Sequence, residues 1–131
     1  MAQSIFDIAG SAMRAQNLRL NTTASNLANA NSVASSPEEA YRARHPVFAA
    51  MLDEQIGGVR TMGIVESARE PEKRYEPGHP LANEDGYIFS SNVDSIEEMA
   101  NMMAATRSYQ SNVDLLSSVK QLMLQTLKMG N

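Results

Sequence analysis

The feature that most constrains this chain is the uneven distribution of its charged residues and prolines. Residues 1–36 carry a net charge of +1 and residues 99–131 carry +2, whereas residues 37–98 hold 13 of the 15 acidic residues and carry −7. All five prolines lie between Pro37 and Pro80. Because proline disrupts helix interiors, the two proline-free ends favour helices and the centre favours turns and short strands.

The N-terminal segment shows the apolar spacing of an amphipathic helix, with steps of three and four residues. It ends at Asn29–Ser32, where an asparagine can adopt the left-handed conformation that closes a helix. Gln16 and Thr23 weaken the apolar stripe, which runs through Phe6, Ala9, Met13, Gln16, Leu20, Thr23 and Leu27.

The C-terminal segment has a clearer helix start. Ser95 with Glu98 fits a capping box, and Asp94 with Glu97 is an overlapping alternative. Gly130 is the predicted end of this helix. If both helices are continuous, they are about 45 and 50 Å long at 1.5 Å per residue. The second stripe contains Met102, Thr106, Tyr109, Val113, Leu116, Lys120, Met123 and Leu127.

Outside the stripes, both helices carry mostly Ser, Asn, Gln, Thr and Ala instead of the charged face typical of a surface helix. Small uncharged side chains tolerate burial against other chains without the cost of desolvating a charge. The pattern therefore favours helices buried on several sides in an assembly. A helical hairpin with a solvated polar face is the alternative.

The central segment predicts short strands and turns rather than an independent domain. Strands are expected over 47–52, 59–65 and 86–90, with Gly57 and Gly58 as the turn between the first two. Residues 69–85 have the composition of a loop. Few apolar residues are available here, so this segment is expected to decorate the helices.

Few residues in the chain fit catalysis or ligand binding. There is no cysteine, and His45 and His79 each precede a proline. The Glu84–Asp85 pair lacks the further acidic positions of a calcium loop, and no phosphate-binding glycine loop is present. Basic residues are dispersed, which excludes a nucleic-acid footprint, and no stretch predicts a membrane span or a cleaved signal peptide. We therefore expect no enzyme activity, cofactor, metal or small-molecule substrate.

Asn26 and Asn29 lie three residues apart, on one helix face beside Leu27. Asparagine on a nearly uncharged helix can hydrogen-bond across a helix–helix contact and fix its register. A fraying, asparagine-rich helix end is the simpler interpretation of the same residues.

The segment Ala24, Ser25, Asn26, Leu27, Ala28, Asn29 resembles the N-terminal signature of bacterial flagellar rod and hook proteins. Further segments are similar, in the same order, to the proximal-rod branch of that family, and together they cover nearly the whole chain. Proteins of this branch usually have proline at the position of Ser91, so the local turn at Ser91 is expected to differ from theirs. The matching segments are 24–29, 41–48, 75–82, 86–87, 98–102 and 107–113.

The resemblance implies a structural rod subunit that polymerises into a hollow drive shaft for motor torque. It implies a mainly α fold in which helices over 1–36 and 93–131 pair in a coiled-coil-like unit around a β/loop segment over 37–92. Implied partners are other copies, other rod proteins, a basal junction protein, the inner-membrane ring and the type III export apparatus. The location is the periplasm-spanning rod of the basal body, reached without a cleaved signal. The 24–29 segment is the expected assembly motif, and the expected helix-packing residues are Leu20, Met102, Tyr109, Val113, Leu116, Met123 and Leu127.

Two other classes of protein remain open on the residues alone. One is an adaptor or chaperone-like helical hairpin that is stable as a monomer or dimer. The other is an enzyme that uses His45 or His79 together with Glu84 or Asp85.

Overall fold

The computed structural model describes residues 2–52 and 57–130. Within these ranges, two long helices flank a small β segment in the sequence. This confirms the predicted mainly α class with a β insertion. No helix in the described ranges is long and apolar enough to cross a membrane. The elements are α1 (Ala2–Ala28), β1 (Val33–Ala34), β2 (Arg44–Leu52), β3 (Gly57–Glu66), β4 (Lys73–Tyr75), β5 (Tyr87–Ser90) and α2 (Ser95–Met129).

The two helices lie antiparallel, with the end of α1 beside the start of α2. Asn26 Nδ2 donates to Glu98 Oε2 at 3.0 Å, and one Arg19 Nη donates to Asn101 Oδ1 at 3.1 Å. Further along, Tyr109 lines the same cavity as Met13. From this register and a rise of 1.5 Å per residue, α1 begins about level with Lys120, so roughly the last nine residues of α2 extend past it.

Asp94, and not Ser95, caps the N-terminus of α2. Its carboxylate accepts from the backbone N–H groups of Ile96 and Glu97 at 3.0 and 3.3 Å. Asp94 has extended backbone dihedrals, as an N-cap requires, while Ser95 is already helical. The overlapping alternative from the sequence is therefore correct in its capping residue, Asp94, although the Glu97 carboxylate lies near Arg69 and does not return a bond to the Asp94 N–H, and Glu98 is free for another role.

The chain leaves α1 through tight turns rather than through a left-handed asparagine. Among the described residues, only glycines have positive φ, so the predicted left-handed Asn is wrong. Ala30 N–H donates to Leu27 O, and both the N–H and the hydroxyl of Ser32 donate to Asn29 O. These bonds satisfy carbonyls at the helix end that would otherwise have no partner.

β2 and β3 form a long antiparallel hairpin that lies along α1. At one end Arg44 N–H donates to Asn26 Oδ1, and at the other Val59 N–H donates to Ser11 Oγ. Gly57 and Gly58 pair with Leu52 and Met51 as the first residues of β3, so their prediction as the turn is wrong. The connection falls at 53–56, outside the described residues.

β1, β5 and β4 form a three-stranded antiparallel sheet in the order β1-β5-β4. The expected strand over 86–90 is confirmed as β5. The loop prediction for 69–85 is wrong at β4, because Lys73 to Tyr75 pair with Phe89 to Tyr87. Gly86, which precedes β5, has φ +83°, and a Cβ there would come within 2.9 Å of the Tyr75 ring. The fold therefore requires glycine at this position.

The interior of the described chain is small, and polar residues make up much of it. Ile88 and Asn26 are the largest fully buried side chains. The other buried apolar residues are alanines, which allow close approach of the backbones but remove little apolar area from water. Hydrogen bonds therefore make a large contribution to holding the elements together. The buried polar residues are Ser11, Thr22, Thr23, Asn26, Ser91, Asn92 and Glu98.

Candidate assembly interface

Asn26 lies at the point where α1, the 29–43 connection, β2 and α2 meet, and its side chain makes four hydrogen bonds. Its Oδ1 accepts from Tyr41 Oη at 2.8 Å and from Arg44 N–H at 2.9 Å. Its Nδ2 donates to Arg44 O at 2.8 Å and to Glu98 Oε2 at 3.0 Å. An amide has two donors and an oxygen with two lone pairs, so Asn26 is fully satisfied although it is completely buried.

Glu98 brings the only buried carboxylate of the described residues to this point, with 2% of the residue exposed. One oxygen accepts from Asn26, and the other lies 3.9 Å from Nδ1 of the half-exposed His45. A polar group at this depth needs such partners, because burial without them is costly. Asn26 and Glu98 therefore tie the end of α1 to the first turn of α2.

Ser91 and Asn92 fix the chain as it enters α2. Ser91 Oγ donates to Ala30 O at 2.6 Å, and its N–H donates to Ser32 O at 3.2 Å. Asn92 Oδ1 accepts from Ala43 N–H at 2.6 Å, while its Nδ2 donates to Arg69 O at 2.7 Å. A proline at this position has no backbone N–H and could not donate to Ser32. Ser91 instead holds the turn with two hydrogen bonds, whereas a proline would hold it by its rigid backbone. We call Asn26, Tyr41, Arg44, Asn92 and Glu98 the junction.

The remaining residues of the expected assembly motif are distributed around Asn26 without joining its network, except Ser25. Ser25 Oγ lies 3.2 Å from Tyr41 Oη. Asn29, just beyond the end of α1, donates through Nδ2 to Ser25 O in the last turn of the helix at 2.8 Å. Leu27 is half-buried, whereas Ala24 and Ala28 are exposed.

The expected helix-packing residues fall into two groups. Five are half-buried, namely Leu20, Met102, Tyr109, Val113 and Leu116, whereas Met123 and Leu127 are exposed. Ala105, which the stripe omitted, is fully buried, and Thr106, which it included, is exposed. Near residue 105, the inner face of α2 is therefore shifted by one residue from the stripe predicted from the sequence.

The last turns of α2 expose apolar side chains on several sides. Every residue from Lys120 to Gly130 is exposed, including Leu122 at 62%, Leu127 at 67% and Met129 at 87%. We call residues 120–129 the free end. An uncovered cluster of this kind is typical of a protein–protein contact surface.

A cavity of about 300 Å³ with polar and apolar lining lies between α1, β2 and α2. Its lining includes Arg19, whose guanidinium forms no ion pair with any carboxylate of the described residues. Gln16 also lines it, and Gln16 Oε1 is buried without a hydrogen-bond partner. The other lining residues are Thr23, His45, Pro46, Phe48 and Asn101.

The histidines do not form the pairs considered from the sequence. His45 lies beside Glu98, as described above, and His79 Nδ1 accepts from Leu81 N–H at 3.0 Å. Asn83 organises the acidic turn instead, because its Oδ1 accepts from Asp85 N–H and Tyr87 N–H at 3.0 and 2.9 Å.

Sequence reasoning missed Tyr41, Arg44 and Glu98 as partners of Asn26, and it missed Asn92, which bonds to Ala43 and Arg69. Glu98 was assigned to helix capping, which hid its other possible role. A usable signal was present, because Glu98 lies four residues before Met102 and so continues the inner stripe of α2. An acidic residue at an inner position indicates a specific partner.

Comparison with known proteins finds a family match at each end of the chain. Residues 6–34 match the family model "Flagella basal body rod protein", and residues 84–129 match "Flagellar basal body rod FlgEFG protein C-terminal". The two matches contain most of α1 and all of α2.

Curated relatives match over nearly their whole length. The chain is 49% identical over 129 residues to the flagellar basal-body rod protein FlgC of Salmonella typhimurium, covering 97% of this chain and 96% of that protein. It is 50% identical over the same shares to FlgC of Escherichia coli O6:H1. FlgC of Buchnera aphidicola from Acyrthosiphon pisum is 42% identical over 128 residues, 95% of this chain and 94% of that protein.

Two terminal helices joined by a buried junction, with a free end and these family matches, define a flagellar basal-body rod protein. It is a structural component of the rod, which functions with other rod proteins, and not an enzyme. Within that class, the chain belongs to the FlgC family.

Proposed function

We propose that this rod subunit polymerises with its neighbours through its two terminal helices. In this proposal the assembly is a hollow shaft that spans the periplasm and transmits motor torque. Residues 1–36 and 93–131 form the assembly unit, paired as in a coiled coil, and residues 37–92 face outward or bridge to neighbouring subunits. Torque transmission needs many lateral contacts per subunit, and long helices provide them.

The free end carries this proposal. Its leucines and methionines lie beyond the start of α1, so no part of the described chain covers them. Removing apolar area from water stabilises a contact by about 25 cal/mol per Å². A subunit of the rod contacts many neighbouring subunits. Met123 and Leu127 of the free end are available for such contacts.

The partners in this proposal are further copies of the chain, other rod proteins, a basal junction protein and the inner-membrane ring. The flagellar type III apparatus exports the subunit to this site. A head-to-tail contact that does not close on itself generates a helical tube. The junction would keep the two helices in register while the tube forms.

Leu127→Asp tests the role of the free end, with Gln125→Asp as the matched control on the same exposed turn. In cells that depend on this chain for swimming, we expect Leu127→Asp to abolish incorporation into basal bodies and motility. Export should continue. We expect Gln125→Asp to swim. Leu116→Asp should also block incorporation, but Leu116 is half-buried, so Leu127 gives the cleaner test.

Wild-type swimming by the Leu127→Asp variant would contradict the proposed role of this surface. The basal bodies are isolated and the amount of the chain in them is measured, together with the amount exported.

A further inference from the structure

We propose that the free end of one subunit packs against the outer side of the first turns of α2 in a second copy of this chain. The inference rests on the proposed function and deepens it, because it names the surface that the free end meets in the assembly. In this contact Met123 lies beside Met99 of the second copy, and Leu127 lies beside Met103 of the second copy.

The first turns of α2 carry an apolar patch on the side that faces away from α1. Ile96, Met99 and Met103 are 81%, 56% and 65% exposed, and we call them the outer patch. Spacings of three and four residues put them on one face of the helix. That face is opposite to Glu98 and Ala105, which are buried. Large apolar side chains that are exposed together are typical of a contact surface.

The free end repeats the spacing of the outer patch. Lys120, Met123 and Leu127 are also three and four residues apart, and each lies 24 residues after its counterpart in the patch. At 1.5 Å per residue, one displacement of about 36 Å along the helix therefore brings all three positions level in two parallel copies. Parallel helices pack through rows with this spacing, in which side chains at the same level meet.

The charges beside the two surfaces are opposite in sign and fit the same displacement. Asp94 and Glu97, both exposed, lie on either side of Ile96 in the sequence. Lys120 comes level with Ile96 of the second copy, and no carboxylate in 2–52 or 57–130 forms an ion pair with Lys120 within its own subunit. The Glu97 side chain lies 3.6 Å from Arg69 and is 53% exposed, so it can accept a second cation. Opposite charges at the rim of a contact favour one register over others.

The lengths and directions of the two surfaces also agree. The free end extends about 15 Å past the start of α1, and the outer patch spans about 11 Å. Met99 and Met123 of one chain are about 36 Å apart on the same helix, so the contact requires two copies. Each copy offers one free end and one outer patch, so the contact repeats in one direction without closing on itself.

Disulfide cross-linking tests the contact, because the chain contains no cysteine of its own. Met99→Cys and Met123→Cys are combined in one chain, in cells that depend on this chain for swimming, and the isolated basal bodies are treated with a thiol oxidant. We expect disulfide-linked dimers and longer multimers of the chain on a non-reducing gel. The pair Met103→Cys and Leu127→Cys should give the same result.

The matched control combines Gln110→Cys with Met123→Cys. Gln110 is exposed on the same side of α2 as the outer patch. In the proposed register it lies about 16 Å along the helix from Met123 of the neighbouring copy. A disulfide joins residues whose Cα atoms are about 4.4–6.8 Å apart, so we expect at least tenfold less cross-linking from this pair.

A charge exchange tests the register independently. Lys120→Glu and Glu97→Lys alone are each expected to lower the amount of the chain in basal bodies on the order of tenfold, since each puts like charges together. The double variant should recover to within about threefold of the unaltered chain. Lys128→Glu is the control for charge alone, because Lys128 comes level with Ala104, and it should stay within about threefold. Thermal melting of each purified variant shows whether a loss comes from unfolding.

The contact is overturned if neither cysteine pair links copies of this chain, or if the control pair links them equally well. Links from Met99→Cys to another rod protein instead of this chain would also overturn it. A double charge variant that is no better than the single ones contradicts the register. If Leu127→Asp blocks incorporation while both cysteine pairs fail to link, the proposed function stands and only this contact is wrong.

Discussion

The two ends of the helical hairpin are built in opposite ways. At the junction, buried polar side chains are paired with one another and with the backbone, and Asn26 alone makes four hydrogen bonds. At the free end, apolar side chains are exposed and the described chain offers them no partner. One end is complete within the subunit, and the other needs neighbours.

This difference indicates that one kind of interaction determines the fold of the subunit and another kind determines its contacts in the assembly. Hydrogen bonds depend strongly on direction, so the junction fixes how α1, β2 and α2 are arranged. Apolar contact has little directional preference and grows with area, so the free end can adapt to different neighbours. The methionines there suit this role because their side chains are flexible.

The largest loss of stability is expected from Asn26→Leu, because this substitution disrupts the hydrogen bonds of the junction. It removes four hydrogen bonds and leaves the Glu98 carboxylate, the Tyr41 hydroxyl and the Arg44 backbone without those partners. We expect a loss of about 3 kcal/mol or more in the free energy of unfolding, measured by urea denaturation of the purified chain.

Asn29→Ala is the matched control, because Asn29 belongs to the same motif but its side chain bonds only to Ser25 O, four residues earlier. Its cost should stay below about 1 kcal/mol. Equal losses for the two variants would contradict the special position of Asn26.

A smaller effect at the same end is expected from Ser91→Ala. The change removes the bond from Ser91 Oγ to Ala30 O and keeps the backbone bond to Ser32. We expect a loss of about 1 kcal/mol in the free energy of unfolding. Ser118→Ala, on the exposed side of α2, should cost nothing measurable, because alanine has the higher helix propensity. A neutral Ser91→Ala would show that this hydroxyl does not hold the junction.

The smallest effect on the isolated subunit is expected from Leu127→Asp, the variant that should be most harmful in the assembly. Because Leu127 is exposed, the free energy of unfolding of the subunit should change by no more than about 0.5 kcal/mol in this variant. Val113→Asp on the half-buried part of the same helix should cost about 2 kcal/mol. A large loss for Leu127→Asp in the purified monomer would mean that the free end is covered within the subunit.

Several features of the fold could be predicted because their signals are local. The absence of proline and the apolar periodicity predicted both helices, and the acid before Ser95 already offered the capping arrangement that the structure uses. The strands over 47–52 and 86–90 followed from β-branched and aromatic residues between turn residues. The resemblance of the 24–29 segment and its companions to flagellar rod proteins led to the family.

Other features failed because their causes lie far apart in the sequence. β4 consists of Lys73 to Tyr75, which have no strand signal of their own, and forms because β5 pairs with them. The two glycines at 57 and 58 have the composition of a turn, yet the register with β2 places them in a strand.

The sequence by itself determined which segments are helical and that the helices carry little net charge. These properties depend on residues within a turn or two of each other. Only the tertiary structure decided what Asn26 does, because its partners Tyr41, Arg44 and Glu98 lie 15, 18 and 72 residues away. A buried amide must find donors and acceptors in three dimensions, and no local pattern records which ones it meets.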